Sequence, residues 1–80
     1  MTFDNMYIYV KPGCPFCAKV DRFMGNVGIE MDHRNILEGT HRDDLVALGG
    51  KAQVPCLVVD GQPMYESMDI IHFLNDKLNA

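Results

Sequence analysis

Apolar and polar positions along the chain fall into segments whose period changes from one to the next. Met6-Tyr7-Ile8-Tyr9-Val10 is an unbroken aromatic and β-branched run, the composition of a buried strand. Lys11-Pro12-Gly13 breaks it. Cys17, Val20, Phe23, Met24 and Val27 then recur at helical spacing, with Lys19, Arg22 and Asn26 on the opposite face, and Gly28 is a suitable stop for that helix. Ile29, Met31 and His33 alternate with Glu30, Asp32 and Arg34, which predicts a half-buried second strand. Thr40 followed by Asp43 resembles a capping box, opening a short helix through Leu45, Val46 and Leu48 that Gly49-Gly50 ends. Leu57-Val58-Val59 is a third strand, and Asp60-Gly61 signals a tight turn into Met64-Tyr65. Ser67 is the expected N-cap of a last helix whose Ile70, Ile71, Leu74 and Leu78 form one apolar stripe.

The order β-α-β-α-β-β-α predicts an α/β fold. Its first strand–helix–strand unit should be a right-handed parallel crossover and its last two strands an antiparallel hairpin. That is a four-stranded mixed sheet with helices flanking its faces. The 80 residues predict one domain spanning 1–80, with no room for a second core.

Composition narrows the function classes. Apolar residues make up 48% and charged residues 22% of the chain, which argues against disorder. The formal net charge of −4 is spread among interspersed acids and bases, unlike the basic stripe of a nucleic-acid binder. The opening residues lack the charged and apolar regions of a signal peptide, and no apolar run approaches a membrane span. No nucleic acid and no membrane are therefore expected as partners, and the expected location is cytoplasmic.

Three cysteines suit no simple disulfide-stapled framework. Cys14 and Cys17 form a C-x-x-C pair between the first strand and the first helix, while Cys56 lies far along the chain. Pro15 falls at the first helical position, where its missing N–H costs nothing. Cys14 then stands over unpaired backbone N–H groups at the positive end of the helix dipole. Both favour the thiolate, the attacking species, as does the nearby ammonium of Lys11. Cys17, one turn on, faces the same way but toward the core. Cys14 is thus the expected nucleophile and Cys17 the resolving thiol.

Half a zinc site has the same spacing. Completing it would take Cys56 with His33, His41 or His72, none of which forms a second close pair, and no metal is expected. The histidines read as structural or solvated, Arg42 and Lys51 as solvated charges, and Cys56 as a small buried hydrophobe.

With this motif on this framework, the chain resembles the glutaredoxins of the thioredoxin-like superfamily, from about Tyr7 to Leu78. Lys11-Pro12-Gly13-Cys14-Pro15-Phe16-Cys17 resembles the dithiol active site, with Phe16 where tyrosine is commoner. The resemblance implies a thioredoxin-like fold, a cis Val54–Pro55 bond beside the cysteines, and glutathione as co-substrate. It implies that Val54 meets the cysteine part of glutathione through its backbone and that Lys11 holds the glycine carboxylate. Phe16 and Pro55 would flank the bound tripeptide, and Gln53 stands where threonine is usual. Glu66-Ser67 instead resembles the N-terminal domain of glutathione transferases, where the pair would take the γ-glutamyl end; a plain helix cap is the competing account.

The implied reaction is reduction of disulfides and protein–glutathione mixed disulfides, with disulfide-containing or glutathionylated proteins as partners and the domain working as a monomer. Three alternatives stay open: a redoxin served by thioredoxin reductase, a glutathione-binding scaffold, and an iron–sulfur carrier.

Overall fold

The aromatic and β-branched run lies in β1 (Thr2–Val10), an inner strand of a four-stranded sheet ordered β2-β1-β3-β4. The structure is a computed structural model that describes residues 2–79. Met1 and Ala80, the ends of the expected domain, lie outside the described residues. β2 (Glu30–Asn35) pairs parallel to β1, and β3 (Cys56–Val59) pairs antiparallel on its other side. β4 (Gln62–Met64) completes an antiparallel hairpin with β3, in which Val58 faces Pro63. The helices are α1 (Pro15–Val27), α2 (His41–Gly49) and α3 (Ser67–Leu78). Element order and mixed sheet are those the residue pattern predicts.

The two-residue period of the strands sorts the core into two layers. Met6, Ile8 and Leu57 meet Val20 and Met24 of α1 and Ile70 and Leu74 of α3 in one buried cluster. Tyr9, Cys56 and Val58 point the other way and pack with Ile36 and with Leu45 of α2. Both faces of β3 are therefore covered, and Cys56, Leu57 and Val58 are each 0% exposed, as a continuous apolar strand requires. Each such aliphatic side chain contributes about 1.5–3 kcal/mol of transfer free energy.

Local chemistry sets the joints. Asp60 and Gly61 both have positive φ, 51° and 82°, the backbone of a type I′ turn, whose twist suits a two-residue hairpin. Gly28 and Gly50 are the C-caps of α1 and α2.

Several expectations need correction. β1 starts at Thr2 rather than Met6 because Asn5 finds partners: its carbonyl accepts from the Asp60 N–H at 3.0 Å, and its amide donates to Asp60 Oδ1 at 3.1 Å. The alternation expected in β2 fails at His33, which is exposed. An edge strand does not have to bury its second face, and His33 turns instead toward α1. Thr40 occupies the N-cap position of α2 without capping it; its hydroxyl donates to Asp44 Oδ2 at 3.1 Å. The expected box with Asp43 is not formed. Glu66, not Ser67, is the N-cap of α3, and Ser67 is its first helical residue. β4 ends at Met64 and leaves Tyr65 outside the sheet. No helix among the described residues is long and apolar enough to cross a membrane.

Candidate functional site

The loop after β1 delivers Cys14 to the mouth of α1. Pro12 and Gly13 occupy the centre of a turn closed by the Cys14 N–H donating to the Lys11 carbonyl at 3.3 Å. Gly13 has φ 78°, the left-handed backbone that a Pro-Gly turn needs at its third position. Cys14 is then the N-cap of α1, extended at φ −85° and ψ 114°, with Pro15 at the start of the helix and no acidic residue in its first turn.

The Cys14 sulfur takes the place of a capping oxygen. Its Sγ accepts a hydrogen bond from the Cys17 backbone N–H at 3.3 Å, one of the donors that a helix start leaves without an internal partner. The same sulfur lies 3.9 Å from the Val54 carbonyl oxygen, to which the thiol donates. The Val54–Pro55 bond is cis, as the resemblance implies.

Cys17 sits in different surroundings. It is 3% exposed. Burial pushes its thiol up to about 12, and the hydrogen bond with Cys14 adds to the rise. Cys14 is only partly covered. Both are free thiols, as is Cys56, which is buried in the α2-side core with its thiol also raised by burial.

Most of the expected glutathione-binding residues converge. Phe16, Val54, Pro55, Glu66 and Ser67 line one cleft of about 110 Å³, completed by Gln53 and Tyr65. Phe16 is 60% exposed at the edge of this cleft. Lys11 is not part of that cleft. It borders an adjoining hollow of about 360 Å³ together with Cys14, Pro15 and Val54. Val54 belongs to both walls, so a groove runs from Lys11 past the Cys14 sulfur to the start of α3.

Tyr65 is the site residue that the sequence pattern misses, because it reads there as strand. In the structure its hydroxyl donates to the Lys51 carbonyl at 3.2 Å, and the Lys51 ammonium lies 4.5 Å above its ring. Lys51 is thus held at the rim, not merely solvated. The one sequence signal for Tyr65 is its place directly before Glu66-Ser67.

The other candidates lie elsewhere. His33 bridges to α1: Nε2 is 2.7 Å from Asp21 Oδ1 and Nδ1 is 2.7 Å from the Met31 carbonyl. His41 Nδ1 is 3.0 Å from the Asn35 carbonyl. Among the described residues no group of three or more His, Cys, Asp or Glu is placed to hold a metal ion. A wider hollow of about 430 Å³ opens near Phe3, Tyr7 and Arg34, where the β1–β2 register shifts between Thr2 and Tyr7. No cysteine lines it.

Comparison with known proteins agrees with this architecture. The family model described as "Glutathione S-transferase, N-terminal domain" matches residues 8–80. Glutaredoxin 2 of Escherichia coli is 34% identical over 78 residues, covering 94% of this chain and 34% of that protein. The chain thus spans about a third of the length of the curated relatives it matches. A crystal structure of glutaredoxin 2 from Salmonella typhimurium in complex with glutathione is 30% identical, with a TM-score of 0.75 over 94% of this chain and 34% of that one. A thioredoxin-like protein of known structure is 22% identical, with a TM-score of 0.78 over 96% of this chain and 97% of its own. Thioredoxin-like in fold, with its cysteine pair at the mouth of the first helix and Glu66-Ser67 at the start of the last, the chain belongs to the glutathione S-transferase N-terminal domain family.

Proposed function

We propose that this domain binds glutathione and reduces disulfides and protein–glutathione mixed disulfides through Cys14 and Cys17. The observation that carries the reading is the position of the Cys14 sulfur. It accepts the Cys17 N–H at the helix mouth and opens onto a groove with Lys11 at one end and Glu66-Ser67 at the other.

Hydrogen-bond donors aimed at a sulfur favour its anionic form. The Cys14 thiolate attacks one sulfur of a disulfide, a new S–S bond forms, and the other sulfur leaves as a thiolate that takes up a proton. From this mixed disulfide two exits balance. The Cys17 sulfur attacks Cys14 Sγ, expels the second substrate thiol and leaves a Cys14–Cys17 disulfide, which two glutathione molecules reduce while becoming glutathione disulfide. Alternatively, where the mixed disulfide holds glutathione on Cys14, a second glutathione attacks the bound glutathione sulfur, frees the Cys14 thiolate and departs as glutathione disulfide.

The tripeptide is held along the groove by charge and backbone. Lys11 takes the glycine carboxylate, Val54 offers its backbone to the cysteine part, and Phe16 and Pro55 flank it. The N–H groups and hydroxyl at Ser67 receive the γ-glutamyl carboxylate, and Glu66 its ammonium. Such chemistry belongs in a reducing compartment, for which we propose the cytoplasm. The glutathione complex of the Salmonella relative supports the choice of thiol.

A second reading follows from the family match. Transferase N-terminal domains bind glutathione without a dithiol cycle, and Glu66-Ser67 fits that use. One experiment separates the two: turnover of a small glutathione mixed disulfide, coupled in parallel to glutathione reductase and to thioredoxin reductase. Turnover through glutathione reductase is the expected result. Turnover through thioredoxin reductase alone would select a glutathione-independent redoxin, and glutathione binding with no turnover would select the transferase-like module.

A further inference from the structure

Gly49 ends α2, yet its backbone is not in the left-handed region that Gly50 occupies. Conformation therefore does not explain the glycine. Space does. A Cβ built on Gly49 would overlap the Tyr65 hydroxyl and stand 2.7 Å from Tyr65 Cζ and 3.0 Å from Cε2. Real side chains do not approach so closely, so the tyrosine occupies the room that the missing methyl group leaves. Gly25, within α1, is the contrast: a Cβ there meets nothing within 4 Å.

Three contacts fix the Tyr65 ring. The end of α2 receives its hydroxyl edge, the Lys51 carbonyl accepts its hydrogen bond at 3.2 Å, and the Lys51 ammonium covers its face at 4.5 Å. The ring also borders the cleft of about 110 Å³ that holds Phe16, Val54, Glu66 and Ser67. In so small a cleft, a ring moved by an ångström changes what fits. We propose that Tyr65 is a specificity-determining wall for the γ-glutamyl end of glutathione and that Gly49 is its positioning residue. This rests on the glutathione reading given above.

The role predicts where the effect falls. Tyr65 stands beside Glu66, at the end of the groove away from the Cys14 sulfur, so it acts on ligand binding rather than on sulfur chemistry. A loss of uniform binding raises KM and leaves kcat alone. Gly49→Ala forces the ring off its seat, and it should raise KM for glutathione about tenfold with kcat changed less than about twofold. Gly25→Ala is the matched control and leaves both parameters as they were. The decisive measurement is the cycle with Tyr65→Ala. Once the ring is gone, an added methyl at Gly49 meets no obstacle, so the double variant should match Tyr65→Ala in KM.

Steady-state kinetics with glutathione and a small glutathione mixed disulfide, with circular dichroism on every variant, read all these outcomes. An unchanged KM in Gly49→Ala overturns the proposal, as does an equal rise with and without Tyr65. Should Gly49→Ala fail to fold, the double variant must fold, because the overlap has been removed; a double variant equally unfolded overturns the proposal too. A parent protein with no use of glutathione removes the underlying reading and this inference together, whereas normal turnover with no coupling between the two positions removes this inference alone.

Discussion

The backbone N–H of Cys17 donates to the sulfur of Cys14 at 3.3 Å, so the second cysteine of the pair hydrogen-bonds the first through its backbone. The relation runs one way. Cys14 receives the donor of the first helical turn and faces a groove, whereas Cys17 is buried with its thiol pushed up to about 12. Cys14→Ser should therefore abolish all disulfide reductase activity. Cys17→Ser should keep deglutathionylation, because glutathione can resolve a mixed disulfide at Cys14, and should lose most dithiol reduction of protein disulfides. Alkylation at mildly acidic pH followed by peptide mapping checks the order independently. Preferential labelling of Cys17 would falsify the assignment.

Glu66 and Ser67 border the cleft, and neither side chain makes a cap hydrogen bond at the start of α3. Their joint replacement by alanine should raise KM for glutathione by about tenfold or more, the equivalent of roughly 1.4 kcal/mol, with thermal stability little altered. Unchanged kinetics would reduce the pair to a helix terminus.

Cys56 lies on the far face of β3 from the α1–α3 core, fully enclosed with Tyr9, Leu45 and Val58. Cys56→Ser should retain activity per folded molecule while losing about 1–3 kcal/mol of stability, the cost of a hydroxyl buried among apolar groups. A fall in activity as deep as that of Cys14→Ser would mark a third redox participant.

His33 meets an acceptor at each ring nitrogen, Asp21 Oδ1 and the Met31 carbonyl. Only the doubly protonated ring donates to both. Burial pulls the imidazolium down, but the Asp21 and Met31 hydrogen bonds outweigh it, and the net shift is upward from 6.5. The pair's stabilisation is therefore fully present below about pH 6.5 and is lost as pH rises through the raised folded value. Both groups are more than a third exposed, so the gain is at most about 1 kcal/mol. Asp21→Asn should cost more stability at pH 5.5 than at pH 8.5. Urea unfolding at the two pH values decides it, and an equal or larger loss at pH 8.5 contradicts the imidazolium assignment.

What was legible in the sequence was whatever neighbouring residues decide. The strand run through Val10, the Pro15 helix start, the Gly28 stop and the Asp60-Gly61 turn all rest on chemistry within a few positions. Candidate residues for a glutathione site could be written down by resemblance because Phe16, Val54, Pro55, Glu66 and Ser67 sit at motif positions, and the structure gathers them into one cleft. What stayed hidden depends on which polar side chains find each other. Thr40 has Asp44 within reach and bonds to it instead of the backbone. Asn5 is held in a strand by Asp60, and His33 is drawn out by Asp21, neither of which any hydrophobic period encodes. Gly49-Gly50 reads as one helix stop, although only Gly50 has the left-handed backbone of a cap and Gly49 makes way for Tyr65.

Pro63 sits in the middle of β4, the outer strand at one rim of the sheet. A three-residue outer strand with a proline at its centre lacks a donor where an incoming chain would need one. The β4 side therefore resists extension by a foreign strand. The opposite border, β2, exposes Glu30, Asp32 and His33, and a strand arriving there has to strip water from charges before it can pair. By these two different means, both rims of the sheet are kept from capturing a foreign strand.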